Sequence, residues 1–170
     1  FDGNGFTLDR SGTSGSVMRV EGTLVFDSRV TSTIKGGNAE NGGGVYVAGG
    51  IFTIKKNTVI TENTASYGGG AYIDGNGEFV LRDSDSQITL NEAENGGGVF
   101  ISDGTFVFES GIIGAEDSGN TAQSYGGGVY VDNSGNFEMN GGVISYNTAL
   151  NGAGVYVRGG RITLDFTSDI

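Results

Sequence analysis

The chain has 170 residues, of which 34 are glycine, contains no cysteine, histidine or proline, and carries a formal net charge of −11. The acidic balance argues against nucleic acid and anionic membranes as partners, because both attract basic surfaces. Disulfides, thiol chemistry and imidazole ligands are excluded, so a metal site would need oxygen ligands. No apolar run reaches the roughly 18 residues of a membrane span, and there is no signal-peptide pattern at Phe1. We therefore expect a segment of a longer protein.

Residues 1–33 contain degenerate copies of a repeat. The opening "FDGNGFTLDR" resembles "IDGNGEFVLRD" at 73–83, and "SGSVMRVEGTLVFDS" aligns with "GGGVFISDGTFVFES". The second alignment puts Ser16 where later copies have glycine and Met18 where the next copy has Tyr46. It also places Arg19 in an inward position, where an unpaired arginine is costly, and this indicates a distorted first coil.

Regular copies occupy residues 34–164. A glycine triplet or near-triplet marks each copy, and the last glycines of these tracts are 26, 28, 30 and 26 residues apart. Glycine and asparagine both tolerate positive φ, so we expect them at corners, with the asparagines stacked from copy to copy. The glycines are Gly44, Gly70, Gly98, Gly128 and Gly154, and the asparagines are Asn63, Asn91, Asn120 and Asn147.

Three short apolar runs follow one another in each copy, and they are too short for helices. The first runs are 45–47, 71–73, 99–101, 129–131 and 155–157; the second are 52–54, 79–81, 106–108, 137–139 and 162–164; the third are 59–61, 88–90, 112–113 and 143–145. Stacked copies bury a face that no single copy can bury alone. The pattern predicts an all-β protein, a right-handed parallel β-helix with about six coils and three strands per coil. The whole chain, 1–170, is predicted to form one such segment.

Alternation along the runs predicts which side chains are buried. The predicted core is Val45, Val47, Phe52, Ile54, Ile73, Phe79, Leu81, Val99, Ile101, Phe106, Phe108, Val129, Val131, Phe137, Met139, Val155 and Val157. The middle residues of the second runs, which are Thr53, Val80, Val107, Glu138 and Thr163, are predicted to face solvent. The insertion "GAEDSG" at 114–119 is predicted to form a surface loop.

The outward residue of the first run is aromatic in five copies: Tyr46, Tyr72, Phe100, Tyr130 and Tyr156. Their rungs would lie about 4.8 Å apart. We regard this column as a candidate ligand-binding site, because sugar rings stack on exposed tyrosine. Two alternatives stay open: neighbouring rings only stabilise each other, or an adjoining domain covers them.

Asp74, Asp103 and Asp132 follow the first run and, if stacked in neighbouring coils, would offer oxygen ligands to Ca²⁺. The bidentate glutamate of a calcium loop is missing, so we favour ordinary turn chemistry and expect no cofactor. Lysine and arginine are scattered among different turns, and we expect no catalytic residues.

The motif N-x-A, followed after two or three residues by a glycine tract and then by [VA]-[YF], occurs in "ITENTASYGGGAYI", "ITLNEAENGGGVFI" and "ISYNTALNGAGVYV". It resembles the repeat of the polymorphic outer-membrane proteins and similar copies in autotransporter passengers. Ile60, Ile88 and Ile144 stand where that family has phenylalanine, so the likeness is to a broader class of bacterial surface proteins. The resemblance implies a pectin-lyase-like β-helix, an extracellular or cell-surface location and adhesion, and it carries over no catalytic residue.

We therefore expect a non-catalytic structural or adhesive segment of a secreted or cell-surface bacterial protein. Its expected partners are the adjoining coils of the parent protein and a host or surface glycan or protein. Two alternatives stay open: a carbohydrate-binding β-helix that uses the aromatic column and, on fold analogy alone, a polysaccharide lyase or hydrolase.

Overall fold

A computed structural model describes residues 5–132 and 134–165 of the chain. Within these residues the regular structure is all strand and contains no helix. The strands of successive coils pair in parallel and stack about six coils high. The predicted parallel β-helix is therefore confirmed.

The strands that follow the glycine tracts form one continuous parallel sheet, here called the first sheet. Each strand pairs with its counterpart in the next coil, for example Val99 with Val129 and Phe100 with Tyr130. Its strands are Met18–Val20, Val45–Ala48, Ala71–Asp74, Val99–Ile101, Val129–Val131 and Val155–Val157. The predicted pairing of the first runs is confirmed.

The second and third runs join into a single large sheet. In the early coils one strand continues through both runs, as in Thr23–Lys35 and Ile51–Thr61. Thr7–Asp9 pairs with the later part of Thr23–Lys35. The remaining strands of the large sheet are Glu78–Leu81, Gln87–Thr89, Thr105–Phe108, Ile112–Ile113, Asn136–Met139, Val143–Ile144 and Arg161–Leu164.

A further sheet, here called the corner sheet, forms where the sequence predicted only a corner. Its strands are Asn38–Asn41, Thr64–Tyr67, Glu92–Asn95 and Thr121–Tyr125, each just before a glycine tract. The last three follow a corner asparagine, and the first follows Gly37. One small apolar residue per strand points inward, and Ala65, Ala93 and Ala122 are buried. The recurring alanine was the only sequence signal for this sheet, because the residues that flank it are polar.

Phenylalanine stacks through the interior from coil to coil. The rings of Phe52, Phe79, Phe106 and Phe137 lie 5.0–5.4 Å apart between neighbours and are nearly parallel. The predicted core is confirmed except at the C-terminal coils. Met139 is half-buried next to Leu164, which is itself 47% exposed. Val155 is half-buried and Val157 is 39% exposed, because no described coil packs on their far side.

The first coil is shifted by one residue from the predicted alignment. Met18 pairs with Val45 and packs against the core, while Arg19 pairs with Tyr46 and points outward. There Arg19 forms an ion pair with Glu21 at 2.7 Å. The shift avoids the cost of burying an arginine, because Val20 instead of Arg19 pairs with Val47.

The outward positions of the second runs are less exposed than predicted. Val80 is 2% exposed and Thr53 is 9% exposed. Val80 pairs with Thr53 on one side and with Val107 on the other. Strands only about 4.8 Å apart let these side chains cover one another's flanks.

The corner asparagines form a buried hydrogen-bonded ladder, as predicted. The side-chain amide of Asn63 donates to Oδ1 of Asn91 at 2.9 Å, and the same contact links Asn91 to Asn120 and Asn120 to Asn147. Each oxygen also accepts the backbone N–H of the preceding asparagine. The insertion at 114–119 forms a surface turn, and the ladder resumes directly after it.

Candidate functional site

The aromatic column lies on the outer side of the first sheet, separate from the interior core. Tyr72, Phe100 and Tyr130 form a cluster of their own, against which Tyr46 and Tyr156 pack. These side chains point away from the interior core, as predicted, but they are much less exposed to solvent than predicted. Tyr72, Phe100 and Tyr130 are only 9%, 5% and 4% exposed.

The central rings of the column stack face to face on one another. Phe100 stacks on Tyr72 at 5.3 Å and on Tyr130 at 4.5 Å, with interplanar angles of 19° and 7°. At one end the Arg19 guanidinium lies 4.4 Å from the centre of the Tyr46 ring. A ligand that reached the middle of the column would meet ring edges and hydroxyls, because the faces are occupied.

Two tyrosines of the corner sheet cover the column. Tyr67 meets Phe100 at 5.3 Å and 73°, and Tyr125 meets Tyr130 at 6.5 Å and 68°. Tyr67 and Tyr125 belong to one position of the corner sheet, where asparagine and tyrosine alternate from coil to coil: Asn41, Tyr67, Asn95, Tyr125 and Asn151. These residues were not among the predicted site residues, although "SYGGG" and "ENGGG" alternate before the glycine tracts.

The corner sheet and the first sheet enclose a groove of about 420 Å³. Tyr67, Asn95 and Tyr125 line one side, and Asp132 and Arg158 line the other. Oδ1 of Asn95 and Oδ1 of Asp132 are buried and have no hydrogen-bond partner among the described residues. A buried acceptor without a partner costs about 1–3 kcal/mol, so a donor that entered here would be stabilised.

Burial sets the ionisation of the column. It raises the pKa of Tyr72 and of Tyr130 above the ordinary value, so both hydroxyls stay protonated at neutral pH. Burial also raises the pKa of Tyr46, and the hydrogen bond from its hydroxyl to Asp74 at 2.9 Å adds to that effect. The groove thus presents the neutral phenols of Tyr72 and Tyr130 together with two acidic side chains, Glu40 and Asp132, and the Arg158 guanidinium.

The three candidate calcium ligands do not occupy one position in three neighbouring coils. Asp74 and Asp132 lie at the same position of the first sheet, but Ser102 separates them by a coil on each side. Asp103 lies one residue beyond that position, and its Oδ1 accepts the backbone N–H of Asn76 at 3.1 Å. Within 5–132 and 134–165, no three carboxylates are grouped so as to hold a metal ion.

Comparison of the chain with protein-family models, with curated proteins and with solved structures finds no match. Among the residues described here there is no helix with the length and apolar character needed to cross a membrane.

Proposed function

We propose that this chain is a stiff, non-catalytic structural segment of a secreted or cell-surface bacterial protein, which spaces or presents an adhesive region. The observation that carries the proposal is the continuity of the stacking. Interior phenylalanines, corner asparagines and outer aromatic rings each form an unbroken ladder through the central coils. Most recurrent side chains are therefore engaged in holding coil to coil.

Such a stack suits a spacer because each coil contacts only its neighbours, so length grows by adding copies. The net charge of −11 favours solubility and keeps neighbouring rods apart. The surface location rests on the resemblance of the repeat to bacterial surface proteins, and adhesion by the parent protein rests on the same resemblance.

A distance measurement tests the stiffness that a spacer needs. Thr23 and Arg161 are exposed and occupy one paired position of the large sheet, five coil spacings apart, which is about 24 Å. Because the chain has no cysteine, spin labels can be attached at Thr23→Cys and Arg161→Cys. We expect one narrow distance distribution, and insertion of a second copy of residues 64–120 after Asn120 should lengthen it by about 9.6 Å.

A broad distribution, or no lengthening on insertion, would contradict the spacer function. Catalysis is tested separately by incubating the purified chain with acidic and neutral polysaccharides and measuring the release of reducing ends. Measurable turnover that is abolished by Asp132→Asn would replace the structural proposal with an enzymatic one.

A further inference from the structure

Tyr67 and Tyr125 each leave part of the side chain exposed to solvent. Both faces of Phe100 are occupied by stacked neighbours, so the perpendicular contact with Tyr67 must use the edge of Phe100 and a face of Tyr67. Tyr125 packs on Tyr156 at 4.7 Å and 39° and also meets Tyr130 at 6.5 Å and 68°. The side chains of Tyr67 and Tyr125 remain 36% and 38% exposed.

The two partly exposed tyrosine rings are spaced by two coils, or about 9.6 Å along the stack. In an extended β-(1→4)-linked glycan each sugar ring is turned over relative to the next, so every second ring presents the same apolar face. Its repeating unit is a disaccharide, and the length of one disaccharide is close to the spacing of two coils along the stack. One coil between the platforms carries Asn95, whose amide can bond to the hydroxyls of the intervening sugar.

The polar groups of the groove suit a ligand that is rich in hydroxyl donors. Asn95 and Asp132 line the groove, and each has a side-chain oxygen without a hydrogen-bond partner among the described residues. Glu40 and Asp132 add negative charge to a chain that is already strongly acidic. This disfavours uronic-acid polymers and favours a neutral glycan.

We propose that Tyr67 and Tyr125 are stacking platforms of a groove that binds an extended, neutral β-(1→4)-linked polysaccharide. The site is distinct from the faces of the buried aromatic column, and it does not depend on the spacer function. The alternating position runs from Asn41 to Asn151 over four coil spacings, about 19 Å, so four sugar residues should fill the groove.

The test is calorimetric titration of the intact chain with cellohexaose, chitohexaose, maltohexaose and oligogalacturonate. We expect binding of at least one of the two β-(1→4)-linked neutral hexasaccharides, with affinity rising up to the tetrasaccharide and then levelling off. Tyr67→Asn and Tyr125→Asn should each weaken binding about tenfold, because each removes one stacking platform. Asparagine already occupies this position in alternate coils, so the variants keep a residue that the fold accepts.

Tyr146→Asn is the matched control. Tyr146 is 65% exposed, lies outside the groove and has a positive φ that asparagine tolerates, so its loss should leave affinity unchanged. The proposal is overturned if neither neutral β-linked hexasaccharide binds, if maltohexaose or oligogalacturonate binds equally well, or if both groove variants bind like the unmodified chain. Equal loss of affinity in the control variant would also overturn it.

Discussion

Asn63, Asn91 and Asn120 are hydrogen-bonded in the same way, and the ladder has a direction. The amide of Asn91 donates to the carbonyl of Ile60 in the preceding coil and to Oδ1 of Asn120 in the next. At the N-terminal end, the backbone N–H of Gly37 donates to Oδ1 of Asn63 in place of an asparagine. A residue with no side chain thus begins the ladder without leaving an unsatisfied group.

Asn91→Ala should lower the free energy of unfolding by about 2–4 kcal/mol, because several buried groups lose partners that each contribute about 1 kcal/mol. Asn91 is 1% exposed, and its side chain bonds to both neighbouring rungs. Urea denaturation measures the change. Asn140→Ala is the control, since Asn140 is exposed and its side chain takes no part in the ladder. Equal stability of the two variants would show that the ladder contributes little.

At the scale of the element, the glycine tracts allow neighbouring coils to approach closely. A Cβ atom on the last glycine of a tract would lie 2.6 Å from the carbonyl oxygen of the same glycine in the next coil, and this holds for Gly44, Gly70, Gly98 and Gly128. These residues do not have positive φ, so the requirement is space rather than conformation. The second position of the last tract is Ala153, on a coil with no described neighbour beyond it.

Gly98→Ala should therefore destabilise the protein by about 1–3 kcal/mol, because backbone atoms must move to admit the methyl group. Gly154→Ala gives the matched comparison. The nearest atom to its new Cβ would be Cγ2 of Ile144 at 3.9 Å, which is ordinary contact. Thermal unfolding should separate the two variants, with Gly154→Ala close to the unmodified chain. If both unfold at the same temperature, close approach is not what the glycines provide.

The sequence predicted those elements whose pattern lies within one copy. Strand runs, the phenylalanine core and the asparagine ladder all follow from alternation and spacing. The burial of Phe100 did not, because Tyr67 covers it from the corner sheet of a different coil. The inward position predicted for Arg19 was wrong because its copy lacks a glycine tract that would fix the alignment. Only the pairing of Arg19 with Tyr46 sets the register. The groove lies between the corner sheet and the first sheet and depends on contacts between different coils. Its walls therefore could not be predicted from the pattern within one copy.

At the scale of the whole molecule, the stack should be most stable in the middle. Val99 and Val129 are fully buried between coils, whereas Val155 is half-buried and Val157 is 39% exposed on the last described coil. A coil with one neighbour loses about half of its interfaces, and repeat proteins open from such ends.

Hydrogen exchange followed by mass spectrometry should show this gradient. We expect the slowest backbone exchange in Val99–Ile101 and Val129–Val131, and faster exchange in Met18–Val20 and Val155–Val157. Adding coils at the C-terminal end should slow exchange in Val155–Val157 and leave the centre unchanged. Uniform protection along the chain would instead indicate that all coils unfold together.

The alternation of asparagine and tyrosine on the corner sheet also bears on how the gene grew. "NAENGGGVYV" is closer to "NEAENGGGVFI" than to the intervening "NTASYGGGAYI", which in turn matches "NTAQSYGGGVYV". Copying a single coil would place two tyrosines or two asparagines side by side, whereas copying a pair preserves the order. This order is the one that duplication of pairs of coils would leave, so we expect natural length variants to differ by even numbers of copies.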